Sequence, residues 1–316
     1  MKSDDNVARK LRSLALGLHP DLPTPFDETG GIDLIALERL CERQIKAGAS
    51  AIVVGETAGE ASTLTPAEHD AIIRTAIKIA RGRIRVIAGA GSNSTSHAIE
   101  LTRQAEFAGA DAVLSVVPYY NKPMQNGIEA HFRAIAISTT LPIILHDVLG
   151  RTARELSDDT LAKLSQHRRF IGLRDATGDL ARPIRLRSMV PSGFRLLSGD
   201  DATALAFIAN GGDGCISLVS NVTPDLCREI FSSCRQGRLQ CARYLHHRIA
   251  RLTAELSKES PASLKYALSL LGLMPPETRL PLTQLDGQAR DQMARVLAAL
   301  PDEDLIPDEE LVVEQA

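Results

Sequence analysis

The chain has 316 residues, 44% of them hydrophobic, and a net charge of −3. That is enough apolar material for a full core and too much for a disordered chain. Trp is absent and aromatics make up 3%, so a basic, base-stacking nucleic-acid surface is excluded.

Residues 1–13 form an N-terminal arm with early acids and no apolar stretch, which argues against a signal peptide. A first strand is expected near Leu14–Leu18. Helix Ile32–Ala47 follows, with Leu34, Leu37, Leu40 and Ile45 on one broad side. Ser50–Gly55 is a short apolar, β-branched run and reads as a buried strand. Helix Pro66–Ala80 opens with Thr65 as its cap, Pro66 at the first turn and Glu68 three residues after the cap. The beat continues through strand Arg85–Gly91, helix Ser94–Ala108, strand Asp111–Pro118 and helix Gly127–Ser138. It goes on with strand Pro142–Val148, helix Ser157–Gln166, strand Phe170–Ala176 and helix Gly178–Val190. Strand Arg195–Asp200, helix Ala202–Asn210 and strand Gly214–Ser220 complete it.

Eight apolar strands separated by single helices predict a parallel sheet closed into a (β/α)8 barrel over residues 14–223. Helices Pro224–Cys234, Arg238–Leu256, Pro261–Leu271 and Gln288–Leu300 then form a C-terminal helical extension, 224–300. Residues 301–316 read as an acidic, mobile tail. The five cysteines, Cys41, Cys215, Cys227, Cys234 and Cys241, contain no CxxC pair and read as reduced thiols. No apolar run approaches a membrane span. A cytoplasmic protein with no membrane or nucleic-acid partner is expected. There is no HExxH, no clustered His/Cys set and no Walker motif, so neither a metal nor a nucleotide cofactor is expected.

In such barrels the chemistry lies at the C-terminal strand ends. Those ends carry GETAGEASTLT (Gly55–Thr65), PYYNKP (Pro118–Pro123), LHDVLGRT (Leu145–Thr152), GLRDATGDL (Gly172–Leu180), LLSGDDATAL (Leu196–Leu205) and GCISLVSNV (Gly214–Val222). Six motifs in register resemble the dihydrodipicolinate synthase/N-acetylneuraminate lyase family, over roughly Leu16–Leu285. PYYNKP, GRT and LLSGDDATAL resemble its dihydrodipicolinate synthase branch.

The resemblance implies a class I aldolase or lyase acting on a pyruvate-like 2-keto acid through a lysine Schiff base. It also implies a homotetramer built as a dimer of dimers. Thr57, Ala58 and Gly59 match the carboxylate cradle, where backbone N–H groups suit a substrate carboxylate. Tyr120 matches the tyrosine that reaches a neighbouring subunit's site and shares a proton relay with Thr57. Arg151 matches the arginine that grips a second carboxylate, for which a planar fork is apt. Gly199 and Ile216 match positions lining the pyruvate pocket.

Several matched positions depart from the family, among them Glu56, Asp147 and Ala58, where a side-chain hydroxyl is lost, and two bear directly on the reaction. His146 stands where the relay has a further tyrosine, and Arg174 stands at the Schiff-base lysine. A guanidinium stays protonated and cannot attack a carbonyl as a neutral amine does. Standard synthase activity is therefore expected to be absent or very weak. A charged Arg174 needs a partner. Side chains alternate along a strand, so Asp147 and Asp175 face away and Glu56 is the expected partner.

Two readings remain open. In one, His146 performs acid–base chemistry on an anionic metabolite, with Arg174 and Arg151 as clamps. In the other, the chain is a non-catalytic homologue that binds a small anionic metabolite or acts as an assembly or regulatory partner. A mouth filled by the Arg174–Glu56 pair would favour the second.

Overall fold

The computed structural model describes residues 16–305. Residues 1–15 and 306–316, including the N-terminal arm and most of the acidic tail, lie outside them.

Eight strands are laid down in chain order: β1 (Gly17–Pro20), β2 (Ala51–Val54), β3 (Arg85–Gly89), β4 (Ala112–Val116), β5 (Ile143–Asp147), β6 (Phe170–Asp175), β7 (Arg195–Ser198) and β8 (Gly214–Ser217). All paired strands are parallel, in the order β1-β8-β7-β6-β5-β4-β3-β2. The seam between β1 and β2 is joined by Ser50 N–H to Leu18 O at 3.0 Å and Leu22 N–H to Val53 O at 2.9 Å. An isolated bridge between Asp21 and Val53 adds to it. The result is the expected (β/α)8 barrel.

Strand alternation sorts the core. Ala51, Val53, Ile87, Ala112, Leu114, Ile144, Ile171, Leu197 and Ile216 pack together inside the barrel. Their neighbours, such as Ile52, Val86, Val113, Leu145 and Leu173, pack outward beneath the helices. The helices start where short polar side chains satisfy free N–H groups. Asp33 caps α1 (Leu34–Lys46), and Thr65 with Glu68 forms a capping box on α2 (Pro66–Ala80). Ser94 caps α3 (Thr95–Ala108), which stops at Gly109 in a left-handed conformation (φ +97°). α4 (Gln125–Ser138), α5 (Leu149–Thr152) and α6 (Asp158–Ser165) follow.

Most element boundaries shift by one to three residues from the sequence reading, and two cases have a structural reason. The first strand is Gly17–Pro20, not Leu14–Leu18, because its register is set by pairing with Gly214–Ser217. The helix expected over Gly178–Val190 is only α7 (Arg182–Arg187). Ahead of it, Asp175, Thr177 and Asp179 each accept from a backbone N–H two residues on, which holds a string of local turns instead. At the start of the acidic tail, Asp302–Leu305 is a short helix with Leu305 buried. Before it come α8 (Ala204–Ala209), α9 (Pro224–Arg235), α10 (Leu239–Lys258), α11 (Ala262–Leu270) and α12 (Gly287–Ala298), so the final turn is α13. The last helices pack on β1 and β8 through Leu18, Leu226, Leu252 and Leu268. Among the described residues, no helix is long and apolar enough to cross a membrane.

Candidate functional site

Arg174 lies near the C-terminal end of β6, between His146 on β5 and Leu197 on β7. Its inward direction depends on an irregularity. β5 advances from Ile143 to Ile144 while its partner on β6 jumps from Phe170 to Gly172, so Ile171 is an extra residue. The extra residue resets the alternation. Ile171 faces the interior, Leu173 packs outward and Arg174 turns inward again. Gly199 makes room for it, because a Cβ there would lie 3.0 Å from Arg174 Cγ and 2.9 Å from the Ala176 Cβ.

Arg174 is 3% exposed, and its guanidinium carries two carboxylates on one nitrogen. Nη1 donates to Glu56 Oε2 and to Asp21 Oδ2, each at 2.9 Å. Glu56 is the partner expected from strand parity. Asp21, just past β1, was missed, because the first strand was read too early to bring it to the barrel mouth. The other oxygen of Glu56 is 2.9 Å from His146 Nδ1. Glu56 Oε2 also accepts from the Thr57 backbone N–H. All four side chains are buried.

Electrostatics follow from this geometry. Burial opposes the charge on Arg174, but Asp21 and Glu56 more than offset it and raise its pKa further. Burial opposes ionisation of Glu56 as well. There His146, Arg174 and the Thr57 hydrogen bond prevail and hold the carboxyl well below its usual range. Asp21 is the odd member. Its burial outweighs Arg174, and the nearby Glu56 charge adds to the effect, so its pKa rises to about 7. The His146 pKa is lowered, chiefly by burial, against the opposing pull of Glu56. One guanidinium thus serves one firmly ionised carboxylate and one that readily holds a proton.

Beneath this cluster lies a second residue not foreseen from sequence. His19 pairs in register with Ile216, inside the barrel, and neither ring nitrogen has a hydrogen-bond partner. Burial pushes its pKa down to about 4, so it is a neutral imidazole. Ile216 packs in the same interior layer.

Asp147 and Asp175 point outward, as alternation requires, and meet Arg182 at 2.8 and 3.3 Å. Arg151 is exposed on α5, with Nη2 3.3 Å from Ser260 O. Tyr120 is 89% exposed and adopts a left-handed backbone (φ 69°). No hydrogen bond joins it to Thr57 among the described residues. Thr57 is half-buried, while Ala58 and Gly59 are buried, and the Gly59 carbonyl accepts from Thr24 Oγ1 at 2.7 Å. Lys265, on α11, is fully buried. It meets Glu60 at 2.5 Å, donates to Glu277 O at 2.9 Å and lies 3.9 Å over the Phe26 ring. Burial lowers its pKa to about 8 against the pull of Glu60.

The profile described as the dihydrodipicolinate synthetase family matches residues 15–300. The chain belongs to the dihydrodipicolinate synthetase family. It is 43% identical over 280 residues to a 4-hydroxy-tetrahydrodipicolinate synthase of Gluconobacter oxydans, covering 88% of this chain and 94% of the relative. It is 45% identical over 291 residues to the synthase of that name from Phenylobacterium zucineum, covering 92% and 98%. A crystal structure of the dihydrodipicolinate synthase of Acinetobacter baumannii, complexed with pyruvate, superimposes with a TM-score of 0.88 at 40% identity. That match covers 90% of this chain and 98% of the other.

Among the described residues, no group of three or more His, Cys, Asp or Glu is arranged to hold a metal. A cavity of about 30 Å³ lies outside the barrel wall among Leu18, Cys215, Cys227 and Ile230. It is lined mainly by apolar atoms, and neither Arg174, Glu56 nor His146 lines it.

Proposed function

We propose that this chain is a family member that has lost Schiff-base chemistry on 2-keto acids, with Arg174 standing at the position of the family's lysine. The observation that carries this reading is the Arg174 guanidinium, buried and bonded to both Asp21 and Glu56. It is a permanent cation at the place where a neutral amine is needed. The cluster of Asp21, Glu56, His146 and Arg174 is buried and internally bonded, which favours a non-catalytic homologue. Its ligand would be a small carboxylate at the rim, or its role that of an assembly or regulatory partner. Exposed Tyr120 and Met124 support assembly as a homo-oligomer, a dimer of dimers by resemblance. The five free cysteines suit a cytoplasmic setting.

One observation favours a second reading. The Glu56–His146 contact is a carboxylate-oriented imidazole, the arrangement of a general acid–base pair acting on an anionic metabolite, with Arg151 as a rim clamp. Against it, Glu56 is already committed to Arg174 and to the Thr57 N–H.

The purified protein, supplied with pyruvate and aspartate semialdehyde, is expected to show no turnover above the uncatalysed rate in a coupled assay. Turnover comparable with that of a named synthase from a relative, run in parallel, would remove the proposal.

A further inference from the structure

The groups that would favour an incoming carboxylate at this mouth are already engaged within the chain. The Thr57 N–H of the cradle donates to Glu56. The Ala58 N–H lies near Asp21, although Asp21 Oδ1 accepts no hydrogen bond. Arg174 Nη1 is shared between the same two carboxylates, and the His146 Nδ1 faces Glu56. Two carboxyl groups supplied by the loops after β1 and β2 therefore sit where the matched positions place a substrate's carboxylate.

We infer that Asp21 and Glu56, rather than Arg174 alone, determine what this mouth refuses: they occupy the carboxylate cradle and would hold any amine at position 174 as an ammonium ion. The inference rests on the proposal that Arg174 occupies the lysine position. Its physical basis has two parts. An amine between two carboxylates is stabilised in its charged form, whereas carbonyl attack needs the lone pair. An incoming 2-keto acid also meets the negative Glu56 on the N–H it would use, a like-charge clash in a desolvated site. A lysine at 174 is therefore insufficient by itself to restore imine formation.

The test uses the full chain at pH 8, above the Asp21 pKa of about 7 so that both carboxyls are ionised, with pyruvate as the probe and borohydride trapping read by intact mass and peptide mapping. In the trapped reaction the lysine Nζ forms a C–N bond to pyruvate C2 and the carbonyl oxygen leaves as water. Borohydride then delivers hydride to the imine carbon, and solvent supplies the proton. R174K is expected to give less than about a tenth of the adduct formed by R174K/D21A/E56A, corresponding to at least about 1.4 kcal/mol of discrimination. R174K/D21N/E56Q keeps the packed shape and serves where the alanine variant fails to fold, as judged by near-UV circular dichroism. Because its amides still fill the cradle, its adduct is expected to lie between the other two. Equal adduct in R174K and the folded triple variants would overturn the inference, as would no adduct in any folded triple variant. An adduct mapped to a native lysine in the wild type would instead strike the preceding proposal, so the two failures are distinguishable.

Discussion

Arg174→Met is expected to destabilise the fold by on the order of 3–5 kcal/mol at pH 8, read as a loss of denaturant midpoint at unchanged slope. The substitution preserves much of the side-chain volume and removes the charge. Asp21 and Glu56 then face one another in a buried site with no cation between them. Glu56 retains the Thr57 N–H and the His146 ring, but Asp21 loses its side-chain partner. The companion variant R174M/D21N/E56Q removes all three charges together and is expected to recover most of the loss, because replacing a whole buried ion cluster costs far less than breaking one. If R174M were as stable as the wild type, the guanidinium would not be the cation that holds these carboxylates.

The second expected effect is a pH dependence isolated by Asp21→Asn. The folded-state pKa of Asp21 is raised by burial, and further by Glu56, from 3.8 to about 7, with Arg174 opposing. A raised carboxyl contributes stability that is fully present below its unfolded pKa, where both states are protonated. That contribution is lost as pH climbs through the folded value, because the unfolded chain has already released its proton. Relative to D21N, the wild type should therefore lose stability from about pH 4 to about pH 7 and level off above. The steepest slope for one group is about 1.4 kcal/mol per pH unit. A difference between the two proteins is required because His19 acts with the opposite sign. Its pKa is lowered to about 4, so it adds stability as pH rises from about 4 to about 6.5. Parallel stability curves for wild type and D21N over this range would show that Asp21 is not the proton-holding member of the cluster.

The β/α rhythm was legible because buried parallel strands are continuous apolar runs, as in Ser50–Gly55 and Asp111–Pro118. Thr65, Pro66 and Glu68 marked the start of α2 because capping is a local interaction between neighbours in sequence. The pairing of Arg174 with Glu56 was legible for a related reason. Strand parity sent Asp147 and Asp175 outward to Arg182, leaving Glu56 at the rim.

What escaped the sequence was set by long-range contacts. β1 reads Gly-Leu-His-Pro, which has no strand pattern, and only pairing with β8 fixes its register. Misplacing it by three residues hid both Asp21 and His19. The extra residue at Ile171 was equally invisible, although it restores the inward direction of Arg174. Lys265 looked like any residue on an amphipathic helix, because Glu60 lies some 200 positions away and Phe26 further still. The loss of the expected helix before Arg182 came from Asp and Thr side chains that satisfied the backbone locally.

If Arg174 has replaced the reactive lysine, no amine in this barrel is available to form an imine with a 2-keto acid. The most direct test is to incubate the wild-type protein with pyruvate, reduce with borohydride and measure the intact mass. An unmodified chain is expected. A reduced pyruvate adduct, mapped to any lysine of the barrel or to Lys265, would contradict it and identify the nucleophile that Arg174 had seemed to replace.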